Sequence, residues 1–308
     1  MFARNAILFI LVSKKCWIRL VALINFAKNT VCRPNLKSTS CHQESAARRR
    51  FFVSITSILA LTFCTSSALA YPSCQNNENK TRKVLIKYVI DGDTVILSNG
   101  EKLRLIGIDS PEIGYNGQAS EAMALAARDF VDGLVDKNRQ YSLQYGAERH
   151  DHHGRSLGHL FFADGRNLQS LILAAGLATP LNIPPNILFA NCYLESAEQA
   201  RLKKTGIWQL EKYQLRPANT LSKQSRGYRI VTGRISDTAR SSHNVWINLN
   251  KHLAVRINKR DLKYFPTLNI TKLPGKLVQV RGKVYLRNNQ LRLQIRHPHD
   301  LHLIGDEN

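Results

Sequence analysis

Acidic residues are scarce: 22 Asp+Glu stand against 44 Lys+Arg in 308 residues, a formal charge of +22. A surface this basic points first to nucleic acid, because each phosphate neutralised releases condensed counterions. Anionic membrane is the second candidate, and a basic surface without functional meaning is the third. General disorder is excluded by 44% hydrophobic against 21% charged residues. No internal repeat or low-complexity tract is evident. Acids are missing altogether before Glu44, and cysteines are few: six, four of them at positions 16, 32, 41 and 64.

The N-terminus reads as a targeting region over residues 1–70. Arg48-Arg49-Arg50 precedes an apolar run from Phe51 to Leu69 and the A-x-A pattern Ala68-Leu69-Ala70. A positive cap, an apolar core and a small-residue site form a secretory signal, with cleavage expected after Ala70 and an exported, periplasmic or secreted product. An uncleaved membrane anchor over residues 51–70 is the competing reading, since the run is near the roughly 20 residues that span a bilayer. The basic residues before it fit a transit peptide or a start codon placed too far upstream. Cleavage leaves only Cys74 and Cys192, either one disulfide or two thiols.

Residues 71–81 read as a short flexible lead. Alternation then predicts strands at Val84–Tyr88, Val95–Leu97 and Lys102–Ile108, with Ser98-Asn99-Gly100 as a hairpin turn. Apolar residues at helical spacing predict a helix over Gln118–Val135. Strands at Tyr141–Tyr145 and Ser156–Phe162 follow, then helices at Asn167–Ala175 and Tyr193–Lys204, with a loop at Leu181–Asn191. The order suits a small closed barrel capped by helices over residues 82–210. A linker is expected over 211–227. From 228 to 308 five more strands with one short helix near Lys259–Tyr264 predict a second, basic barrel of the oligonucleotide-binding (OB) type. The fold class is therefore mainly β with α: an OB-type five-stranded barrel with three helices, followed by a second small OB-like barrel.

Three segments in the first barrel carry chemistry. Asp91-Gly92-Asp93-Thr94 sets two carboxylates around a glycine at a strand junction, where they can present oxygens to a hard cation or simply make a turn. In Leu103-Arg104-Leu105-Ile106-Gly107-Ile108-Asp109-Ser110-Pro111-Glu112 an Arg interrupts an apolar strand, which is costly unless it is paired or faces a site. Strict alternation would put Arg104 and Asp109 on opposite faces, but Asp109 is at the strand end, where that rule need not hold. Asp151-His152-His153-Gly154-Arg155 places a second Arg at the start of a strand. His150, His152, His153 and His159 cluster near it in sequence and suit phosphate contact better than zinc, for which no matched ligand spacing exists.

Together, D-G-D-T, R-L-x-G-I-D-S-P-E, D-x-x-G-R-x-L and A-D-G resemble the staphylococcal (micrococcal) nuclease family over about Lys83 to Trp208. The resemblance implies a Ca2+ site formed by Asp93, Asp109 and the Ser110 carbonyl, supported by Asp91 and Thr94. It implies that Glu112 orients or deprotonates the attacking water, and that Arg104 and Arg155 clamp the scissile phosphate. The implied reaction is endonucleolytic hydrolysis of DNA and RNA to 3′-phosphates by a monomer with no small-molecule cofactor. Three departures stand out. The loop after Glu112 is short, Asn182-Ile183-Pro184 replaces a stretch with tyrosines, and His153 replaces an aromatic hydroxyl. The rival reading is a non-catalytic nucleic-acid-binding protein built from two OB barrels.

Overall fold

The computed structural model describes residues 74–76 and 80–305; the targeting region lies outside them. Among the described residues no helix is long and apolar enough to cross a membrane.

The first barrel begins with one bent strand in two halves, β1 (Thr81–Val84) and β2 (Ile86–Asp91), broken at Leu85. It continues through β3 (Thr94–Leu97), β4 (Lys102–Leu105), β5 (Gly107–Asp109), helix α1 (Ala124–Leu134), β6 (Tyr141–His150) and β7 (Ser156–Phe161). The bend closes the sheet. Half β2 pairs with β3 and half β1 with β6, giving the order β2-β3-β4-β7-β6-β1. Strands β4 and β7 run parallel and the others antiparallel. Ile86, Val95, Leu97, Leu103, Leu105, Leu143 and Leu160 fill the interior. Helix α2 (Leu168–Ala174), strand β8 (Thr179–Leu181) and helix α3 (Ala190–Leu202) pack outside it. The Asn167 side chain caps α2 by accepting from the Ser170 amide at 2.8 Å. Strand β8 pairs with β5 as a small separate ribbon.

Helix α1 starts six residues later than its pattern suggests. The Glu121 amide donates to the Glu112 carbonyl (2.9 Å) and the Glu121 carboxylate accepts from the Glu112 amide (3.3 Å), which holds residues 112–121 as a closed loop. The lead is not free either. Cys74 is buried and forms a disulfide with Cys192 of α3 across 118 residues of sequence.

The stretch expected to be a linker is built into the fold. Strand β9 (Leu215–Pro217) pairs in parallel with β10 (Gly227–Arg240), and Tyr213 and Ala218 are buried. Its polar composition conceals these few long-range contacts. Strands β11 (Asn244–Leu249), β12 (Leu253–Asn258), β13 (Leu277–Arg287), β14 (Gln290–Ile295) and β15 (Leu301–Ile304) complete the second sheet. Strands β10-β11-β12-β14-β13 close back onto β10, again with the third and fifth strands parallel. Residues 259–264 form a 3-10 turn where a short helix is expected. The two barrels thus share one strand order. Trp208, Tyr213 and Tyr228 pack edge-on or tilted between them, with ring centroids 5.7–6.5 Å apart. Ion pairs Arg281–Glu198 and Lys212–Glu121, each at 2.8 Å or less, cross the same junction.

Candidate active site

The acidic turn and the arginine strand meet because β3 pairs with β4, placing Thr94 opposite Arg104. The Arg104 side chain is only 11% exposed. Its Nη1 donates to the carbonyls of Leu105 (2.7 Å) and Ile108 (3.0 Å). Its Nη2 lies 3.1 Å from Asp93 Oδ2 and 3.2 Å from Asp109 Oδ1. Arg104 and Asp109 therefore share a face. The chain reverses its facing between them at Gly107, whose φ of +88° is open to glycine at little cost. A Cβ at Gly107 would also lie 2.3 Å from the Tyr193 ring.

Asp93 is buried and fully engaged. Oδ2 accepts from the Ser110 amide (2.8 Å) and hydroxyl (3.0 Å), and Oδ1 accepts from the Thr94 hydroxyl (3.0 Å). Asp91 Oδ1 accepts from the Asp93 amide at 2.9 Å. Burial, then the charge of Asp93, pushes the Asp91 carboxyl up to about 6. Asp109 is also pushed up: desolvation of its carboxyl outweighs the opposing pull of Arg104. Glu112, on the loop after Pro111, is raised by partial desolvation and then by the charges of Asp93 and Asp109. Asp91, Asp93, Asp109 and Glu112 thus outnumber the single guanidinium among them. Asp91, Asp109 and Glu112, held back from ionising, mark a place where a hard cation is favourable.

No three acidic, His or Cys side chains among the described residues gather tightly enough to enclose a metal unaided. Asp93 and Asp109 do converge on one guanidinium nitrogen, so their oxygens reach a common point from the β2–β3 turn and from β5. Two carboxylates, a backbone carbonyl and waters are a donor set of the hard-oxygen type that suits Ca2+. The residues fit such an ion. The contacts Ser110 makes with Asp93 run through its amide and hydroxyl.

Arg155 is held by Asp151. Its Nε donates to Asp151 Oδ2 at 2.7 Å, and Asp151 Oδ1 accepts from the Arg155 amide at 2.9 Å. Arg104 and Arg155 line one cavity of about 400 Å3, with apolar walls from Leu157, Leu181 and Ile183. His152 also lines it, its ring tilted by 44° against that of His153 with centroids 3.8 Å apart. His159 does not belong to this group. It is buried, its Nδ1 sits 2.7 Å from the Tyr193 hydroxyl, and burial drives its pKa down to about 3. On β7 it faces the helices, which sequence proximity to Arg155 does not reveal.

Several neighbours escape sequence reasoning. The Asn186 side chain pairs with the backbone of Glu148 in both directions, at 2.9 and 3.0 Å, fixing the loop beside the cavity. Lys283 of the second barrel is near enough to pull Asp109 and Glu121 down. Arg296, from the end of β14, stands in the cavity wall itself. Only the basic composition of the second segment hinted at such a contribution.

A helix-capped OB barrel with clustered carboxylates and two arginines at one opening defines a protein built to handle phosphate esters. Comparison with known proteins narrows that class. Residues 102–210 match the family described as "Staphylococcal nuclease homologue". A thermonuclease of Staphylococcus intermedius is 30% identical over 128 residues, covering 41% of this chain and 75% of that protein. The "Probable endonuclease LCL3" of Phaeosphaeria nodorum is 24% identical over 131 residues, covering 40% of this chain and 43% of that protein. An uncharacterized protein of Methanocaldococcus jannaschii is 27% identical over 143 residues, covering 39% and 68%. The chain belongs to the staphylococcal nuclease family. A nuclease-type hydrolase is the reaction class that this membership supports. Arg104, Asp109, Ser110, Glu112 and Arg155 lie within the family match, and Asp91 and Asp93 just precede it.

Proposed function

We propose that the chain is an exported, Ca2+-dependent endonuclease of the micrococcal type, which hydrolyses DNA and RNA to 3′-phosphate products. The observation that carries this reading is the convergence of Asp93 and Asp109 on Arg104, with Arg155 beside it in one cavity.

Asp93, Asp109 and the Ser110 carbonyl would hold the ion. When bound, Ca2+ offsets phosphate charge and makes a coordinated water more acidic. Arg104 and Arg155 bind the scissile phosphate and neutralise charge that grows on its oxygens in the transition state. Arg155 is aimed for this by Asp151, and Arg104 by the Leu105 and Ile108 carbonyls. Glu112, with its pKa raised, takes a proton from the attacking water. The water oxygen bonds to phosphorus, the bond from phosphorus to the 5′ oxygen breaks, and that oxygen leaves with a proton from solvent.

Export is read from the signal-like segment, and the Cys74–Cys192 disulfide supports an oxidising compartment. Sizing the mature chain separates cleavage after Ala70 from a retained anchor.

The test incubates the chain from Tyr71 with plasmid and single-stranded DNA in Ca2+, in Mg2+ and in chelator. Cutting in Ca2+ that the chelator abolishes is the expected outcome. Tight binding without cutting in every condition would instead select the two-barrel binding protein.

A further inference from the structure

We infer that the second barrel completes the substrate site: Arg296 binds the phosphate of the nucleotide adjoining the scissile bond. This rests on the nuclease reading above for what occupies the cavity, but its own evidence is geometric.

The cavity between Arg104 and Arg155 is not closed by the first barrel alone. Arg296 supplies part of its wall. Three guanidiniums therefore face one space of nucleotide-binding size. The carboxylates in the lining are Glu148 and Asp151, and Asp151 is committed to Arg155; behind the wall Arg104 is paired with Asp93 and Asp109, and Arg296 with Asp261. The apolar wall of Leu157, Leu181 and Ile183 offers a surface for a base or sugar. The cavity thus combines cationic groups with apolar walls, the mixture of surfaces that a nucleotide requires.

Arg296 is held ready for this. Its Nε donates to Asp261 Oδ2 at 2.9 Å, and its Nη2 reaches Asp261 Oδ1 and the Pro184 carbonyl, at 3.3 and 3.2 Å. Among the described residues its Nη1 has no hydrogen-bond partner, and the side chain is 22% exposed. Asp261 does not cancel the charge. Arg260 shares the same carboxylate at 3.8 Å, so two guanidiniums divide one anion. The contact with Pro184 ties Arg296 to the Asn182-Ile183-Pro184 stretch, where this chain has no tyrosines.

Equilibrium binding of fluorescent oligothymidylate, with chelator present to prevent cutting, tests this on the chain from Tyr71. Arg296→Gln should flatten the plot of log affinity against log salt by about 0.7, the share of one phosphate on a single strand. Arg296→Lys should restore that slope, although a Lys loses the forked pairing with Asp261. Asp261→Asn keeps the guanidinium and should keep the slope. In competition, dTpT bearing an extra 5′- or 3′-phosphate should displace the probe about tenfold better than dTpT itself, as for a charge-assisted hydrogen bond. Arg296→Gln should erase that advantage.

An unchanged slope in Arg296→Gln, equal losses in Arg296→Gln and Asp261→Asn, or no oligonucleotide binding by the wild type would each overturn the inference. Because no step here requires cleavage, a protein that binds as described but never cuts defeats the catalytic reading and leaves this one standing.

Discussion

Each barrel contains a buried aspartate paired with an arginine that lines the common cavity: Asp93 with Arg104 in the first, Asp261 with Arg296 in the second. The strand order around them is the same. The surroundings differ in sign. Around Arg104 stand Asp91, Asp93, Asp109 and Glu112, with Asp91 raised to about 6 by burial and by Asp93. Around Asp261 stand Arg260 and Arg296, and among the described residues no second carboxylate pairs with either guanidinium, Asp300 reaching Arg296 only at its backbone amide. An ion pair by itself is weak evidence of either stability or function. The uncompensated charge beside it is more telling. Surplus acid suits a cation and surplus base suits a phosphate, and the two arginines, Arg104 and Arg296, line one cavity.

The sharpest way to break this comparison is at the reacting groups. Glu112→Ala or Arg155→Ala should each lower turnover by at least about 100-fold, as the loss of a group acting on the transition state does. Steady-state rates on single-stranded DNA at saturating Ca2+ provide the check. Near-normal turnover in both variants would overturn the assignment of Glu112 and Arg155 as the reacting groups.

The disulfide tests whether the acidic barrel depends on being tied down. Cys74 to Cys192 closes a loop of 118 residues, so the Cys74→Ser, Cys192→Ser double variant should lose about 2–5 kcal/mol. Urea unfolding of the double variant against the oxidised parent measures it. A loss below about 1 kcal/mol would mean that the lead adds little to the native state.

Surplus acid also predicts linkage. Ca2+ at about ten times its dissociation constant should stabilise the protein by about 1.4 kcal/mol, seen as a rise in melting temperature. Asp93→Asn should abolish that rise, whereas Asp261→Asn should retain it. Equal responses would erase the distinction between the two pairs.

Much of this site was legible because its parts are short and local. Asp93, Arg104 and Asp109 come within 17 residues, and the hairpin at Ser98-Asn99-Gly100 brings them together. Even the conflict between alternation and the shared face of Arg104 and Asp109 had a visible marker in Gly107, whose positive φ resolves it. The closed barrels were legible from alternation in the same way. What stayed hidden depends on distance along the chain. Asp261 and Arg296 are 35 residues apart, and Pro184 is 112 residues from Arg296. No period or motif records such a meeting. Strand β9 was missed because three residues paired in parallel carry too little pattern, and α1 was over-extended because Glu112 captures Glu121 through the backbone.

The smallest effect expected lies away from both ion pairs, at His159. This side chain joins β7 to α3 through the Tyr193 hydroxyl (2.7 Å), with Gln169 of α2 at 3.3 Å and the Phe189 ring edge-on at 4.7 Å. Burial lowers its pKa from 6.5 to about 3. The sign follows from which state binds the proton. Above pH 6.5 the ring is neutral both folded and unfolded, so its full contribution is present. As pH falls below 6.5 the unfolded chain takes up a proton that the folded protein refuses, and stability declines until about pH 3. At pH 6 the loss is somewhat under about 1 kcal/mol. His159→Gln keeps a polar partner for Tyr193 without the titration. The difference between wild type and variant in urea unfolding at pH 7.5, 6 and 5 should therefore shrink steadily toward acid pH. A constant difference would mean that His159 carries its proton inside the fold, and that the acid sensitivity of this helix-capped barrel arises elsewhere.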